Sequence, residues 1–282
     1  MQRGVYPAAV TPFDASGKID YPSLARLIAW FATTGCKGLV VAGTNGEGPS
    51  LSAFEKKELI NQTVALAKPF GLESVLGIAT PSLDEAIWLS KQAANAGAVA
   101  TLLMPPSYFR EVDESGLEKW FKAVMDASPI PVLIYNLPKR TGFELSANLL
   151  GRLSQHDQYL GTKDSSGTHA NLAAYRAATG EKLLYVGDET LLLDALKAGW
   201  TGTISGAANA VPHWLSEIVT SESPTKFEYL LPALKALRSL PQPASNKTIL
   251  VRKRIISNDV LKLPLVNGGM DLTDQLKPWL DA

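Results

Sequence analysis

YLGTKDSSG (residues 159–167) starts as a buried strand and ends in a lysine, an aspartate and a turn. A lysine at the last position of a strand has two options. It lifts its ammonium into water or onto Asp164, or it turns into the interior, where desolvation penalises the charged form and lowers the pKa from about 10.4. Only the second option makes Lys163 a nucleophile, and the architecture around the strand end decides between them.

Outward from this stretch, short apolar or β-branched runs alternate with longer amphipathic segments, and Gly, Pro, Ser, Thr, Asn or Asp follows each run. The strand candidates are GVYPAAVT from Gly4, GLVVAGT from Gly38, SVLGIAT from Ser74 and AVATLLM from Ala98, then PVLIYN from Pro131, YLGTK from Tyr159, LLYVGD from Leu183 and GTISG from Gly202. A helical pattern such as SLDEAIWLSKQAANAG follows each of them, and several of these close on glycine. Eight βα units in about 220 residues predict an α/β fold, a (β/α)₈ barrel, rather than an open doubly wound sheet, which would carry a Gly-rich dinucleotide turn after its first strand. Residues 1–223 are read as the barrel and 224–282 as a helical extension packed on it, one structural unit with no linker.

Composition narrows the function classes. The 27 basic and 27 acidic residues cancel, so no excess positive charge exists to track nucleic acid or an anionic membrane. Cys36 is the single cysteine, which excludes an internal disulfide and a thiolate metal cage and predicts a reducing, cytoplasmic setting. The opening MQRGVYPAAVTPF lacks the apolar run of a signal peptide or membrane span. His156, His169 and His213 stand apart from one another and from carboxylate pairs, so no metal site is expected.

In a barrel, chemistry gathers where strands end, on the C-terminal face. The strand ends here read GTNGEG (residues 43–48), YNLPKRTG (135–142), TKDSSG (162–167), GDE (187–189) and SGAAN (205–209). Neighbouring strands lie about 4.8 Å apart, so Tyr135 and Lys163 should face one another at the mouth. A neutral lysine amine in a partly apolar pocket can attack a ketone to give an imine, and a tyrosine hydroxyl beside it can relay the protons.

GTNGEGPSLS from Gly43, YNLPKRTG from Tyr135 and GTKDSSG from Gly161 resemble, in order and spacing, the three signature blocks of the dihydrodipicolinate synthase / N-acetylneuraminate lyase family of pyruvate-dependent class I aldolases. The resemblance runs from AAVTPF near the start to the C-terminal helices. It implies imine formation with pyruvate at Lys163, proton relay by Tyr135 and Thr44, and a carboxylate site at Thr44 and Asn45. Ile204 and Gly206 would border the pocket, and no metal or other cofactor is required.

The second substrate is the less determined half. Arg140 stands where the synthases of this family hold the carboxylate of aspartate semialdehyde, which favours condensation of pyruvate with that aldehyde. Against this, the synthases usually carry a second threonine at Asn45 and, at Phe109, a tyrosine that crosses a dimer interface; a one-residue bulge would put Tyr108 there instead. The TNGE loop resembles the 4-hydroxy-2-oxoglutarate and 2-keto-3-deoxy-sugar-acid aldolases, which stay as the alternative. A catalytically weak metabolite-binding member is a further alternative, prompted by Phe109. Asp188 and Glu189 would bind a polyol or simply sit at a helix N-terminus. The resemblance also implies a dimer or tetramer, and Ala53, Lys56 and Pro81 replace the histidines and asparagine with which lysine-inhibited synthases bind their effector.

Overall fold

The computed structural model describes residues 1–267 and 273–280; of the expected extension 224–282, residues 268–272 and 281–282 lie outside the described residues. Eight parallel strands form one sheet: β1 (Gly4–Pro7), β2 (Gly38–Val41), β3 (Glu73–Ile78), β4 (Ala100–Leu103), β5 (Val132–Asn136), β6 (Tyr159–Asp164), β7 (Leu183–Val186) and β8 (Gly202–Ser205). Their order is β1-β8-β7-β6-β5-β4-β3-β2. The remaining seam, between β1 and β2, closes through Lys37 N donating to Val5 O at 3.0 Å and Ala9 N donating to Val40 O at 2.9 Å. The expected barrel is therefore present, and every predicted strand has its counterpart.

The intervening helices start where the loops supply an N-cap. Ser52 and Glu55 form a reciprocal capping box ahead of Ala53–Ala67, and Ser82, Asp113 and Ser146 cap Leu83–Ala96, Glu114–Ala127 and Ala147–Leu153. Strand alternation splits the core into two shells. Tyr6, Val40, Val75, Leu102, Leu133, Tyr185 and Ile204 fill the barrel, while Leu39, Val41, Leu76, Val132 and Ile134 face the helices. At the N-terminal end, the Tyr6 and Tyr185 rings meet edge to face at 5.5 Å and Tyr6 donates to Glu73, closing that mouth with large side chains.

One irregularity in this sheet aims the site. Val132 pairs with Tyr159 but Leu133 pairs with Gly161, so Leu160 is an extra residue in β6. In a regular strand Tyr159 and Lys163, four positions apart, would share a face. With the extra residue, Tyr159 packs in the outer shell and Lys163 points into the barrel, as bulges near active sites do to a side chain. Gly161 permits the arrangement, because a Cβ there would fall 1.8 Å from Leu183 O on β7.

Beyond β8, helices Pro212–Ser221, Pro224–Ser239 and Ala244–Arg252 follow, and the connection between the last two lies over the barrel mouth, with Leu240, Pro241 and Gln242 lining the cavity there. A buried ion pair anchors this extension to the loop after β2. Lys247 Nζ and Glu47 Oε1 are 2.5 Å apart, and both side chains are fully buried. Lys247 also donates to Val260 O at 2.7 Å, while Glu47 Oε2 accepts from Lys262 N at 2.7 Å. Burial pulls the Lys247 ammonium down to about 8, opposed by Glu47. Removing one member leaves the other charge buried and alone, so Lys247→Met is expected to cost about 3–5 kcal/mol. Chemical denaturation checks this: Lys247→Met should unfold well below wild type and Lys247→Met/Glu47→Gln should recover part of the loss, whereas an unchanged midpoint in the single variant contradicts it.

Candidate active site

The C-terminal mouth of the barrel holds a cavity of about 510 Å³, in the range of small-molecule sites. Thr44, Asn45, Tyr135, Arg140, Lys163, Glu189 and Gly206 all line it. Parallel pairing sets Tyr135 opposite Lys163 in the β5–β6 register. Lys163 is 5% exposed and its Nζ lies 4.1 Å from the centroid of the Tyr135 ring, over a π-face that attracts a cation. Lys163 is therefore neither solvated nor paired with Asp164.

Asp164 points the other way, into the outer shell. Its Oδ1 accepts from Asn136 Nδ2 and Ser166 N, each at 2.9 Å, and its Oδ2 accepts from Ser166 Oγ at 2.9 Å. Burial raises its pKa, and these hydrogen bonds oppose that rise. Asn136 completes the tie by accepting from Leu145 N at 3.1 Å. The ends of β5 and β6 are thus clamped from outside, which holds Tyr135 and Lys163 against each other inside.

Around this pair, Ser165 Oγ donates to the Tyr135 hydroxyl at 3.3 Å. Gly187 leaves room for the lysine stem, since a Cβ there would fall 2.8 Å from Lys163 Cε. Thr44 Oγ1 is buried without a hydrogen-bond partner among the described residues, and Asn45 Oδ1 accepts from Asn246 Nδ2 at 3.0 Å. A buried hydroxyl without a partner costs free energy, which a ligand acceptor would recover.

The other residues singled out from the sequence fall into four groups. Arg140 stands exposed on the rim, on the short helix Pro138–Thr141 that the sequence pattern did not show, with Lys139 beside it. Ile204 is fully buried inside the barrel, and the next strand-end glycine, Gly206, faces the cavity. Asp188 caps a 3₁₀ turn through Thr190 N and Oγ1, at 3.1 and 2.6 Å, and pairs with Arg238 at 2.8 Å. Glu189 accepts from Ser205 Oγ at 2.6 Å and Ala207 N at 3.1 Å, with Arg238 at 3.6 Å. Both carboxylates are thus engaged within the chain. Tyr108 and Phe109 lie outside the cavity, 79% and 68% exposed, with their rings edge to face at 5.2 Å.

Sequence reading missed Ser165, although it lies in the quoted stretch, and the wall contributed by Arg238, Leu240, Pro241 and Gln242. Among the described residues, no group of three or more His, Cys, Asp or Glu side chains is arranged to hold a metal ion, and no helix is long and apolar enough to cross a membrane.

The chain has relatives in both sequence and fold. The sequence matches the profile of the Dihydrodipicolinate synthetase family over residues 1–279. The 4-hydroxy-tetrahydrodipicolinate synthase of Cereibacter sphaeroides is 33% identical over 290 residues, covering 100% of this chain and 97% of that protein. That of Methanothrix thermoacetophila is 37% identical over 223 residues, covering 78% of this chain and 74% of that protein. The crystal structure of the chloride-inhibited dihydrodipicolinate synthase from Acinetobacter baumannii, a complex with pyruvate, superposes with a TM-score of 0.89 at 29% identity, covering 100% of this chain and 97% of that one. Fold and sequence agree along the length of the molecule, and the chain belongs to the dihydrodipicolinate synthetase family.

Proposed function

We propose that this protein is a lysine-imine lyase that condenses pyruvate with aspartate semialdehyde, as a 4-hydroxy-tetrahydrodipicolinate synthase does, with Lys163 as nucleophile. The observation that carries the reading is Lys163 Nζ held at 4.1 Å over the Tyr135 ring at the edge of a cavity that also contains the unpartnered Thr44 hydroxyl.

In this reading the pyruvate carboxylate accepts hydrogen bonds from Thr44 and Asn45, which sets the ketone carbon beside Lys163. The neutral amine attacks that carbon, a C–N bond forms, and the ketone oxygen takes a proton. Loss of water leaves a protonated imine, an electron sink that lets the methyl group release a proton and become an enamine carbon. The enamine carbon bonds to the aldehyde carbon, whose oxygen takes a proton; the amine of aspartate semialdehyde then adds to the re-formed imine carbon, closing the ring, and the C–N bond to Lys163 breaks as the lysine nitrogen takes up a proton. Tyr135, hydrogen-bonded to Ser165 and served by Thr44, moves these protons.

Arg140 supplies the second carboxylate site. Its guanidinium stands at the rim without a carboxylate partner among the described residues, and that planar fork suits a carboxylate. Arg140→Ala is expected to raise KM for aspartate semialdehyde about 10- to 100-fold, the loss of a charge-assisted hydrogen bond, with pyruvate affinity little changed. Steady-state kinetics with each substrate varied checks this, and an unchanged KM removes Arg140 from the site. Asn45 and the missing hydroxyl at Phe109 favour a second reading, aldol cleavage of 4-hydroxy-2-oxoglutarate or a 2-keto-3-deoxy sugar acid. A coupled assay with pyruvate and aspartate semialdehyde, run beside the two cleavage assays, separates them: faster cleavage than condensation would overturn the first reading.

We further propose a cytoplasmic homo-oligomer of two or four subunits in which the exposed Tyr108, Phe109 and Phe54 meet a second copy. Lys56 pairs with Glu85 at 3.2 Å and is 3% exposed, while Thr80 occupies the other Glu85 oxygen at 2.9 Å. That carboxylate is already spoken for, so millimolar lysine is expected to leave activity unchanged. Light scattering that gives a monomer would overturn the proposed oligomer, and inhibition by lysine would overturn the proposed insensitivity.

A further inference from the structure

Asn246, 201 positions from Asn45 in the chain, contacts both Asn45 and the backbone carbonyl of Gly206. Gly206 O can only accept. It takes Asn209 N at 3.1 Å and Asn209 Nδ2 at 3.0 Å, and the side-chain amide of Asn246 approaches it to 3.2 Å. The atom of Asn246 facing it must therefore be the nitrogen, since an oxygen there would repel. That same nitrogen lies 3.0 Å from the side-chain amide of Asn45, so Asn45 must turn its oxygen to Asn246. What remains to Asn45 is its NH₂ group, which packs against Gly206 closely enough that a Cβ on that glycine would fall 2.8 Å from it. Asn45 and Gly206 both line the cavity, and no acceptor among the described residues takes the Asn45 protons.

Asn246 is suited to hold this orientation. It is fully buried on the helix Ala244–Arg252, and its own oxygen has no partner among the described residues, so its amide contributes through the nitrogen. The neighbouring Lys247 is locked to Glu47, two residues beyond Asn45, which keeps helix and loop in register. We infer that Asn246 is a positioning residue that fixes the Asn45 amide as a hydrogen-bond donor to the substrate's carboxylate. The inference rests on the carboxylate role proposed above for Thr44 and Asn45. It makes the C-terminal extension part of the binding apparatus rather than a cover.

The test is trapping with borohydride across a pyruvate titration, read by intact mass, for wild type, Asn246→Asp, Asn45→Ala and the double variant. Asn246→Asp keeps the shape but replaces the donor by an oxygen, so Asn45 must flip and turn its own oxygen to the substrate. The half-saturating pyruvate concentration is expected to rise about 10- to 100-fold, with full labelling still reached at saturation. In the Asn45→Ala background the same change should add nothing, because its route of action has gone. Asn246→Leu, which avoids a buried charge, is expected to behave likewise and stands in if the aspartate variant does not fold. An unchanged half-saturation point in either folded variant, or a shift undiminished in the Asn45→Ala background, overturns the inference. Absence of any adduct on wild type is a separate result: it overturns the imine reading, and this inference falls with it.

Discussion

Tyr135→Phe is expected to lower turnover about 10²- to 10⁴-fold, the contribution of a positioned acid–base group, while leaving the fold intact. The substitution removes one oxygen and keeps the ring on which Lys163 Nζ rests at 4.1 Å, so the cavity wall and the lysine's position survive. What is lost is the hydroxyl that Ser165 contacts at 3.3 Å and that can pass protons to the forming carbinolamine and enamine. Imine formation, which needs several proton transfers, should slow with it. Stopped-flow trapping with pyruvate therefore should show slower adduct formation, not merely slower condensation. A variant within a factor of a few of wild type in both steps would mean that Ser165 or water carries the protons without Tyr135.

Much of this site could be read in the sequence because its chemistry sits at strand ends, and strand ends are marked by local signals. The short apolar run before GTKDSSG, the continuous apolar run in PVLIYN and the turn residues after each placed Tyr135 and Lys163 on adjacent strands, as the register Tyr135↔Lys163 bears out. The aim of Lys163 was less accessible. It depends on the extra residue Leu160, and a one-residue insertion leaves no trace in composition or period. The helix Pro138–Thr141, at four residues, is too short for a 3.6-residue pattern to declare itself. Arg238, Gln242 and Asn246 reach the site from an extension whose helices carry only ordinary amphipathic patterning. Their function arises from packing across the barrel mouth, a contact at long sequence separation that a local reading does not contain. Asp188 and Glu189 illustrate the converse. Their residue types suggested a sugar ligand, yet the partners that engage them, Thr190, Ser205 and Arg238, become visible only once the chain is folded.

The largest effect is expected at Lys163. Lys163→Ala removes the side chain that forms the covalent bond to the ketone, and among the described residues no other lysine is placed to replace it: Lys139 is at the exposed rim, while Lys247 is held by Glu47 and Val260. Without the imine there is no electron sink, and the pyruvate methyl group keeps its protons. Turnover should fall to background, and thermal stability should not drop, because the substitution relieves a buried amine of its desolvation cost. The direct measurement is incubation with pyruvate and borohydride followed by peptide mass spectrometry. One reduced pyruvate adduct per chain, on Lys163 and absent from Lys163→Ala, is the predicted result; an adduct elsewhere with Lys163 unmodified, or an alanine variant that still turns over, would contradict the account.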